Sequence, residues 1–539
     1  MPLSVTVPFL ITVFAVGAFA QVSVLTYRYD NFRTGANLNE TVLTASSVAS
    51  GFGKLFARQV DGELYAQPLY VSNVTIPGKG IHNVVYVATM NDVVYAFDAD
   101  SNAADNAGPL WTVSFANPAT GITPIPITDI AEAANIRGNV GVESTAIIDL
   151  PSKTLYLVAR TKESGAYYQR IHALSIETGA ERTNSPVAIS GSVAGNGAGS
   201  VAGRLTFDPL LGNQRPALAI LKNQLLIAWA SHEDFGSYHG WVMSYDITSL
   251  KQTGIVCTTP TGEQGGIWSS GWAPAIDNSN FAYFSVGNGT WDGRKNFGES
   301  VIKMSLSERL AIVDFFTPYN WAALNGNDID LGSTGVMLIP GTKLAVTAGK
   351  SGVVYLVNTA KLGWEASVDA QIVQSVDIRT LNPYAYSAKG GPVYWNRPSS
   401  TKMIYIQNEV DPVHGFPMIP DGGGIGLPTL DTVNAQSSEA YSPHFGGGVL
   451  SLSGDPDGQG AIVWSSTCVD NQSGGHTYCS GVLRALDATN GLSQIWSSEM
   501  NSGRDAMGNW AKFVPPVVAN GKLYMASFSN QLVVYGLLP

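Results

Sequence analysis

The sequence predicts an all-β protein in which one small sheet is repeated along the chain. The composition is typical of strands and turns, with 58 glycines, 22 tyrosines, 12 tryptophans and only 13% charged residues. Few windows show an apolar period of 3.6 residues, so long helices are not expected. One strand–turn–strand pattern also recurs, and repetition of this kind indicates a repeat architecture.

The clearest copy of this pattern lies at Gly481–Trp496, where two apolar strands flank a polar turn. Asp487 and Asn490 are residues that bond their own backbone in turns, and Gly491 tolerates a positive φ. Weaker copies occur at Val93–Trp111, Arg170–Ala180 and Gly240–Thr248.

The repeating unit can be followed eight times, each time as a short strand, an apolar strand and an outer strand. The units begin at Ala66, Ser144, Ala217, Ala273, Gly335, Pro392, Gly447 and Pro515. The sixth is the least regular, and the eighth lacks an outer strand. Phe52–Val60 resembles the missing strand. We therefore predict an eight-bladed β-propeller closed by an N-terminal strand, with seven blades as the alternative.

The N-terminus predicts secretion. Residues 1–20 contain an apolar run from Val7 to Val16 and a small-x-small site before Gln21, which is typical of a signal peptide. An uncleaved anchor is the alternative, and no later stretch predicts a membrane span. We expect an irregular arm over residues 21–51, lying on the body, and a single propeller domain over 52–539. We also expect a monomer.

The cysteines and sequons agree with a secreted protein. Cys468 and Cys479 flank a polar loop and form a plausible disulfide, while Cys257 is left over in a predicted strand. Four Asn-x-Ser/Thr sequons are candidate glycosylation sites: Asn39, Asn73, Asn288 and Asn471.

Charge and motifs exclude several classes of function. The net charge is −11 and there is no run of Lys or Arg, so a nucleic-acid partner is not expected. Walker, Gly-x-Ser-x-Gly and His-Glu-x-x-His motifs are absent from the sequence. His232, Glu233, Asp234 and His239 lie close together, but their spacing matches no metal signature. We interpret that segment as a surface turn and leave any metal unassigned.

The turn and tryptophan at Ala485–Trp496 resemble the pyrroloquinoline quinone repeat of quinoprotein alcohol dehydrogenase-like propellers, in which each outer-strand Trp docks on the neighbouring blade. Tyr29–Leu43, Asp61–Val71 and Tyr238–Asp246 extend the likeness to a group of secreted proteins with this fold. The resemblance implies an oxidoreductase that acts on an alcohol, a sugar or another small molecule at the propeller axis, with pyrroloquinoline quinone and Ca²⁺. The adjacent cysteine pair of the well-known members has no counterpart here.

The resemblance also suggests which residues to examine beside the inner strands. Lys350, Lys389 and Lys512 would neutralise the quinone carboxylates, Trp272 would stack on the ring, and His444 would complete the cofactor-binding set. Glu143 or Asp330 would act as the catalytic base or a metal ligand. Trp268 is a further aromatic candidate. The alternative for each residue is a structural role.

Two other functions stay open at this point. The first is a cofactor-free propeller that binds a glycan or a protein through rim loops rich in Trp, Tyr and Asn. The second is an enzyme of small-molecule metabolism that uses the ring for different chemistry.

Overall fold

The computed structural model describes residues 21–130, 136–397, 400–442, 446–469 and 478–539. The predicted signal peptide at 1–20, His444 and the sequon at Asn471 lie outside these residues. Eight antiparallel sheets of four or more strands follow one another along the chain. This arrangement confirms the eight-bladed β-propeller.

The four main strands of each blade run from the axis outward. Blade 1 consists of Leu69–Ile76, Gly80–Ala88, Val93–Asp98 and Trp111–Ser114, and blade 2 of Ile147–Asp149, Thr154–Glu163, Ala166–Ser175 and Val187–Ala188. Blade 3 consists of Ala219–Leu221, Gln224–Trp229, Trp241–Asp246 and Gln252–Cys257, and blade 4 of Ala275–Ile276, Phe281–Ser285, Val301–Ser305 and Ala311–Phe316. Blade 5 consists of Met337–Ile339, Leu344–Ala348, Val353–Asn358 and Gln374–Asp377, and blade 6 of Val393–Trp395, Met403–Ile406, Pro412–Ile419 and Gln436–Tyr441. Blade 7 consists of Val449–Gly454, Ala461–Cys468, Gly481–Asp487 and Ser493–Ser497, and blade 8 of Val517–Ala519, Lys522–Ser527, Gln531–Leu537 and Phe52–Gln59.

Short additional elements decorate this ring. The further strands are Ala36–Asn37, Ile122–Pro126, Asn139–Val140, Ser192–Ala194, Arg204–Thr206 and Thr429–Leu430. The α-helices are Ala45–Gly51, Trp321–Gly326 and Ser502–Asp505. The 3₁₀ turns are Ala104–Asn106, Pro118–Thr120, Ile127–Ile130, Ser269–Gly271, Leu331–Ser333, Ser367–Asp369 and Ile378–Thr380.

The ring closes through its first long strand. Phe52–Gln59 pairs antiparallel with Gln531–Leu537, with Phe52 opposite Leu537 and Gln59 opposite Gln531. The eighth blade therefore contains both ends of the propeller, which removes two exposed sheet edges. This pairing confirms the predicted closing strand.

The hydrophobic core is divided among the eight interfaces between neighbouring blades. Side chains alternate along each strand, so one strand serves two interfaces. In Lys522–Ser527, Leu523 and Met525 pack against blade 7, whereas Tyr524 and Ala526 pack against blade 1. Strands buried on both faces explain the unbroken apolar runs in the sequence.

Two outer-strand tryptophans connect neighbouring blades. Trp111 of blade 1 donates from its indole nitrogen to the carbonyl of Ile176, which directly follows the third strand of blade 2, at 3.0 Å. Trp496 of blade 7 meets Phe52 of blade 8 edge to face, with ring centroids 4.9 Å apart. These are the docking contacts that the repeat resemblance implied.

The N-terminal arm enters the ring instead of lying on its surface. Backbone groups of residues 24–35 bond the inner strands of six blades, through Val24 with Tyr70, Leu25 with Ile148, Asn31 with Ile276, Phe32 with Leu338, Thr34 with Tyr394 and Gly35 with Leu452. The hydroxyl of Tyr29 accepts from the Val518 amide of blade 8 at 2.7 Å. The arm therefore fills one end of the axis.

Arg28 is the central side chain of this plug and is 1% exposed. Its guanidinium donates to the carbonyls of Gly390, Leu450 and Pro392 and lies 4.0 Å over the ring of Trp272. A charged donor is acceptable at such depth because backbone acceptors from two blades surround it.

The predicted disulfide is present, and the three described sequons differ in their exposure. Cys468 and Cys479 form a disulfide, and Cys257 is buried. Asn39 and Asn73 are exposed. Asn288 is 5% exposed, and its amide nitrogen, to which a sugar would attach, donates to Asp328 at 2.7 Å. This geometry is incompatible with a glycan at Asn288. Among the described residues, no helix is long and apolar enough to cross a membrane.

Candidate functional site

A pocket of about 810 Å³ lies on the axis, on loops that precede the inner strands and on loops that join the second and third strands of a blade. Four cationic and five acidic side chains line it: Arg215, Lys350, Arg379, Lys389, Glu233, Asp234, Asp328, Asp330 and Glu409. Volumes of this size are usual for small-molecule sites. Three predicted site residues, Asp330, Lys350 and Lys389, meet in this pocket.

Both predicted lysines of the main pocket are already paired with carboxylates. The Lys350 ammonium lies 2.8 Å from Asp328 and 2.6 Å from Asp330. The Lys389 ammonium lies 2.6 Å from Glu409. Although burial opposes it, the attraction of Asp330 and the hydrogen bonds that the ammonium donates to both aspartates raise the pKa of Lys350. The lysines therefore do not give the pocket a net positive charge.

A small inner chamber of about 30 Å³ adjoins the main pocket. Glu143 and Lys512 line it together with His232 and Tyr65. Arg215, Glu233, Trp268 and Phe513 border both spaces. Two further predicted residues, Glu143 and Lys512, thus lie beside the same pocket.

Burial controls the chemistry of this chamber. Desolvation, reinforced by the charge of Arg215, lowers the pKa of Lys512 to about 7. Desolvation raises the pKa of Glu143, which Arg215 partly counteracts, and lowers that of His232 well below its ordinary value. At neutral pH, Lys512 is therefore divided between its ammonium and its neutral amine, which is the condition for a general base.

Arg215 is the important residue that the sequence reasoning missed. Its guanidinium lies 4.4 Å over the ring of Phe513, and its buried Nε has no hydrogen-bond partner within the described part of the chain. No carboxylate of the described residues forms a salt bridge with it. Arg215 stands just before the inner strand of blade 3 and is followed by Pro216. Lys389 and Lys512 also precede a proline and an inner strand by a few residues.

Polar groups without partners face the same region. The indole nitrogen of Trp268 and the hydroxyl of Ser387 are buried without a hydrogen bond to any described residue. Unpaired buried polar atoms are costly, so they indicate a place where a polar ligand binds.

Phe513 also has an unusual backbone. Its φ is 68°, in the left-handed region that bulky residues avoid. This conformation places Phe513 against both spaces directly after Lys512. Strained residues of this kind are concentrated at functional sites.

Trp272 does not line the pocket, although it was an attractive stacking residue. It is 1% exposed and lies beneath Arg28 of the arm. A Cβ at Gly391 would come within 2.3 Å of its ring, so the backbone also packs directly on it. Trp272 therefore supports the plug, and Trp268 provides the aromatic surface of the pocket.

The segment around His232 is a turn whose tip, residues 233–237, is exposed, whereas its two histidines are buried. His232 is buried and accepts from Arg160 at 2.9 Å, while Glu233 and Asp234 line the main pocket. His239 points elsewhere, where it bonds Thr259 and the Ala198 carbonyl. Across the described ranges, no three His, Cys, Asp or Glu side chains form a group that could hold a metal ion.

Comparison with known proteins identifies the fold. Neither protein-family profiles nor proteins of curated function gave a match. Among solved structures, a europium-containing methanol dehydrogenase is 11% identical with a TM-score of 0.59, and the match covers 96% of this chain and 98% of that one. The quinohemoprotein alcohol dehydrogenase ADHIIG from Pseudomonas putida HK5 is 14% identical with a TM-score of 0.56, over 96% and 80%. The quinohemoprotein alcohol dehydrogenase from Comamonas testosteroni is 12% identical with a TM-score of 0.54, over 96% and 81%.

At these identities the likeness establishes the fold. The chain shares its propeller fold with these three dehydrogenases over 96% of its length. The chemistry of the site has to be argued from its own residues.

Proposed function

We propose that this propeller is a secreted oxidoreductase of the quinoprotein type, which oxidises a hydroxyl-bearing small molecule in the axial pocket. The observation that carries the proposal is the position of Arg215. A guanidinium with no salt bridge among the described residues stands between a roomy pocket and a chamber that contains a neutralisable lysine.

The pocket residues fit an anionic, planar quinone. Arg215 offers a fork of donors that matches a carboxylate, and Trp268 and Phe513 supply aromatic surface on either side of it. The unpartnered Trp268 nitrogen and Ser387 hydroxyl are suitable donors for further quinone oxygens. When bound, pyrroloquinoline quinone would accept the two electrons that the substrate loses.

The chain itself supplies the proton chemistry. We assign the role of general base to Lys512, whose neutral amine accepts the proton of the substrate hydroxyl. Glu143 lies in the same chamber and stabilises the ammonium that forms. The arm closes the axis beneath them, with Tyr27 lining a small cavity together with Glu143, Arg215 and Lys512, and so keeps bulk water from the proton acceptor.

Secretion belongs to the same proposal. The signal-like residues 1–20 and the Cys468–Cys479 disulfide support export to an oxidising compartment.

Reconstitution tests the proposal directly. Purified protein is incubated with pyrroloquinoline quinone, with and without Ca²⁺, and freed of excess cofactor. The absorbance spectrum and the reduction of an artificial electron acceptor are then recorded with a panel of alcohols and sugars. We expect retention of about one quinone per chain and dye reduction with at least one substrate. Loss of all quinone on washing, with no turnover, would overturn the proposal.

One observation favours a second function, the binding of a glycan without a cofactor. Tyr384 and Tyr386 are 72% and 55% exposed, and their segment forms one wall of the pocket mouth. Exposed aromatic faces suit the apolar faces of sugar rings. Glycan-array binding that is lost in Tyr384→Ala, combined with failure to retain quinone, would favour this function.

A further inference from the structure

Two carboxylates of the main pocket converge on one point, and a lysine occupies that point. Asp328 and Asp330 lie in the connection between blades 4 and 5. The Lys350 ammonium lies 2.8 Å from Oδ1 of Asp328 and 2.6 Å from Oδ2 of Asp330. The backbone carbonyl of Asp328, at 3.2 Å, accepts a third bond. All three ammonium donors are therefore directed at oxygen atoms.

The two carboxylates are fixed from behind. Asn288 donates from its backbone to Asp330 and from its side chain to Asp328, each at 2.7 Å. Gly287 leaves space for this arrangement, since a Cβ there would come within 2.3 Å of Asp330 Oδ1. The buried Oδ1 of Asn288 has no hydrogen-bond partner among the described residues. The oxygens around the ammonium are thus held in place independently of Lys350.

A convergent set of fixed hard oxygens is the usual environment of a divalent cation. The fold would suggest Ca²⁺ at the axis, but Lys350 already takes the cation position at this pair. The residues therefore do not fit a calcium ion here.

We propose that the ammonium of Lys350 replaces a divalent cation at the Asp328–Asp330 pair, and that this pair is a latent metal site which Lys350 blocks. Lys350 lines the pocket and is 28% exposed, so its charge faces a bound ligand as a metal ion would. The part of this inference that concerns ligand binding rests on the proposed function, whereas the latent metal site does not.

The molecule contains a matched control. Lys389 is also paired in the same pocket, and its ion pair among the described residues is with one carboxylate, that of Glu409, at 2.6 Å. Removal of Lys389 leaves one carboxylate, while removal of Lys350 leaves two on a fixed support. If Lys350 formed only an ordinary ion pair, its removal and the removal of Lys389 would have the same effect on metal binding.

Terbium luminescence distinguishes these cases without quinone or substrate. Tb³⁺ resembles Ca²⁺ in its preference for oxygen ligands, and Trp268 in the same pocket can sensitise its emission. The full-length protein is freed of metal and titrated as wild type, Lys350→Ala and Lys389→Ala. We expect saturable emission only from Lys350→Ala, reversed by Ca²⁺ with a Kd below about 1 mM.

Two results would overturn the inference. Saturable, Ca²⁺-reversible emission from the wild type would mean that a metal binds the pocket with Lys350 in place. No gain in Lys350→Ala would mean that the acid pair is not a cation site. If Lys350→Ala does not fold by circular dichroism, Lys350→Gln takes its place with the same expectations. Because the probe is the metal alone, these outcomes are separate from failure of the quinone proposal.

Discussion

Lys512 is the residue whose chemistry depends most on its surroundings. Its pKa is lowered to about 7 by burial and by Arg215, whereas an unfolded chain would hold the proton up to the ordinary lysine value of 10.5. Between these values the unfolded state binds more protons than the folded state, so stability rises as the pH rises. We predict that Lys512→Met flattens the rise in melting temperature between pH 7 and pH 9. Equal slopes for the variant and the wild type, measured by thermal denaturation, would place the amine in contact with solvent.

The candidate residues show what sequence can and cannot reveal at this scale. Lys350 and Lys389 could be selected because each stands next to Gly or Ser, and Asp330 because Gly332 follows it before an inner strand. Arg215 could not be recognised in this way, because its importance comes from an unsatisfied Nε and the lack of a salt bridge among the described residues, which no sequence pattern records. Trp272 was selected on the same grounds as Trp268, but contact with the arm decides between them.

The N-terminal arm is the element with the largest structural effect for its length. Arg28 donates to three backbone carbonyls inside the ring. We predict that Arg28→Ala lowers the free energy of unfolding by at least about 3 kcal/mol, since hydrogen bonds to charged groups contribute about 1.5–3 kcal/mol each. Urea denaturation measures the loss. The control Arg294→Ala alters an exposed side chain and should stay within about 0.5 kcal/mol. Equal effects would show that the plug adds no stability.

The arm also marks a limit of sequence analysis for whole elements. The closing strand was predictable because its sequence resembles the other outer strands and it precedes the first inner strand, while the eighth unit lacks an outer strand. The path of residues 24–35 was not, because an extended segment that bonds six blades through its backbone has no periodic pattern. Its charged and polar residues suggested a surface position, whereas backbone carbonyls inside the ring provide their partners.

For the molecule as a whole, the ring shape follows from turn residues and from strands buried on both faces. Both features are local, so the eight blades could be counted from the sequence. The one-ended channel could not be derived in this way, since it depends on loops from all blades meeting at the axis.

The disulfide is a stabilising feature of the whole ring that can be tested separately. Cys468 and Cys479 are 4% and 8% exposed, next to the interface of blades 7 and 8. We predict that Cys479→Ser lowers the stability by about 2–4 kcal/mol, because the bond restricts the unfolded chain. The double variant with Cys468→Ser should fall no further, since both changes remove one bond. An unchanged denaturation midpoint in Cys479→Ser would contradict the bridge.

The central claim is that an arginine with no salt bridge among the described residues makes the axial pocket a site for an anionic quinone. Calorimetric titration of pyrroloquinoline quinone into wild type, Arg215→Ala and Arg379→Ala tests it most directly. Arg379 lines the same pocket but is paired with Asp377 at 2.7 Å, so it is the matched control. We predict that Arg215→Ala weakens binding by about tenfold or more, equivalent to about 1.4 kcal/mol, while Arg379→Ala leaves it within about twofold. Equal affinity in wild type and Arg215→Ala, or an equal loss in both variants, would contradict the claim.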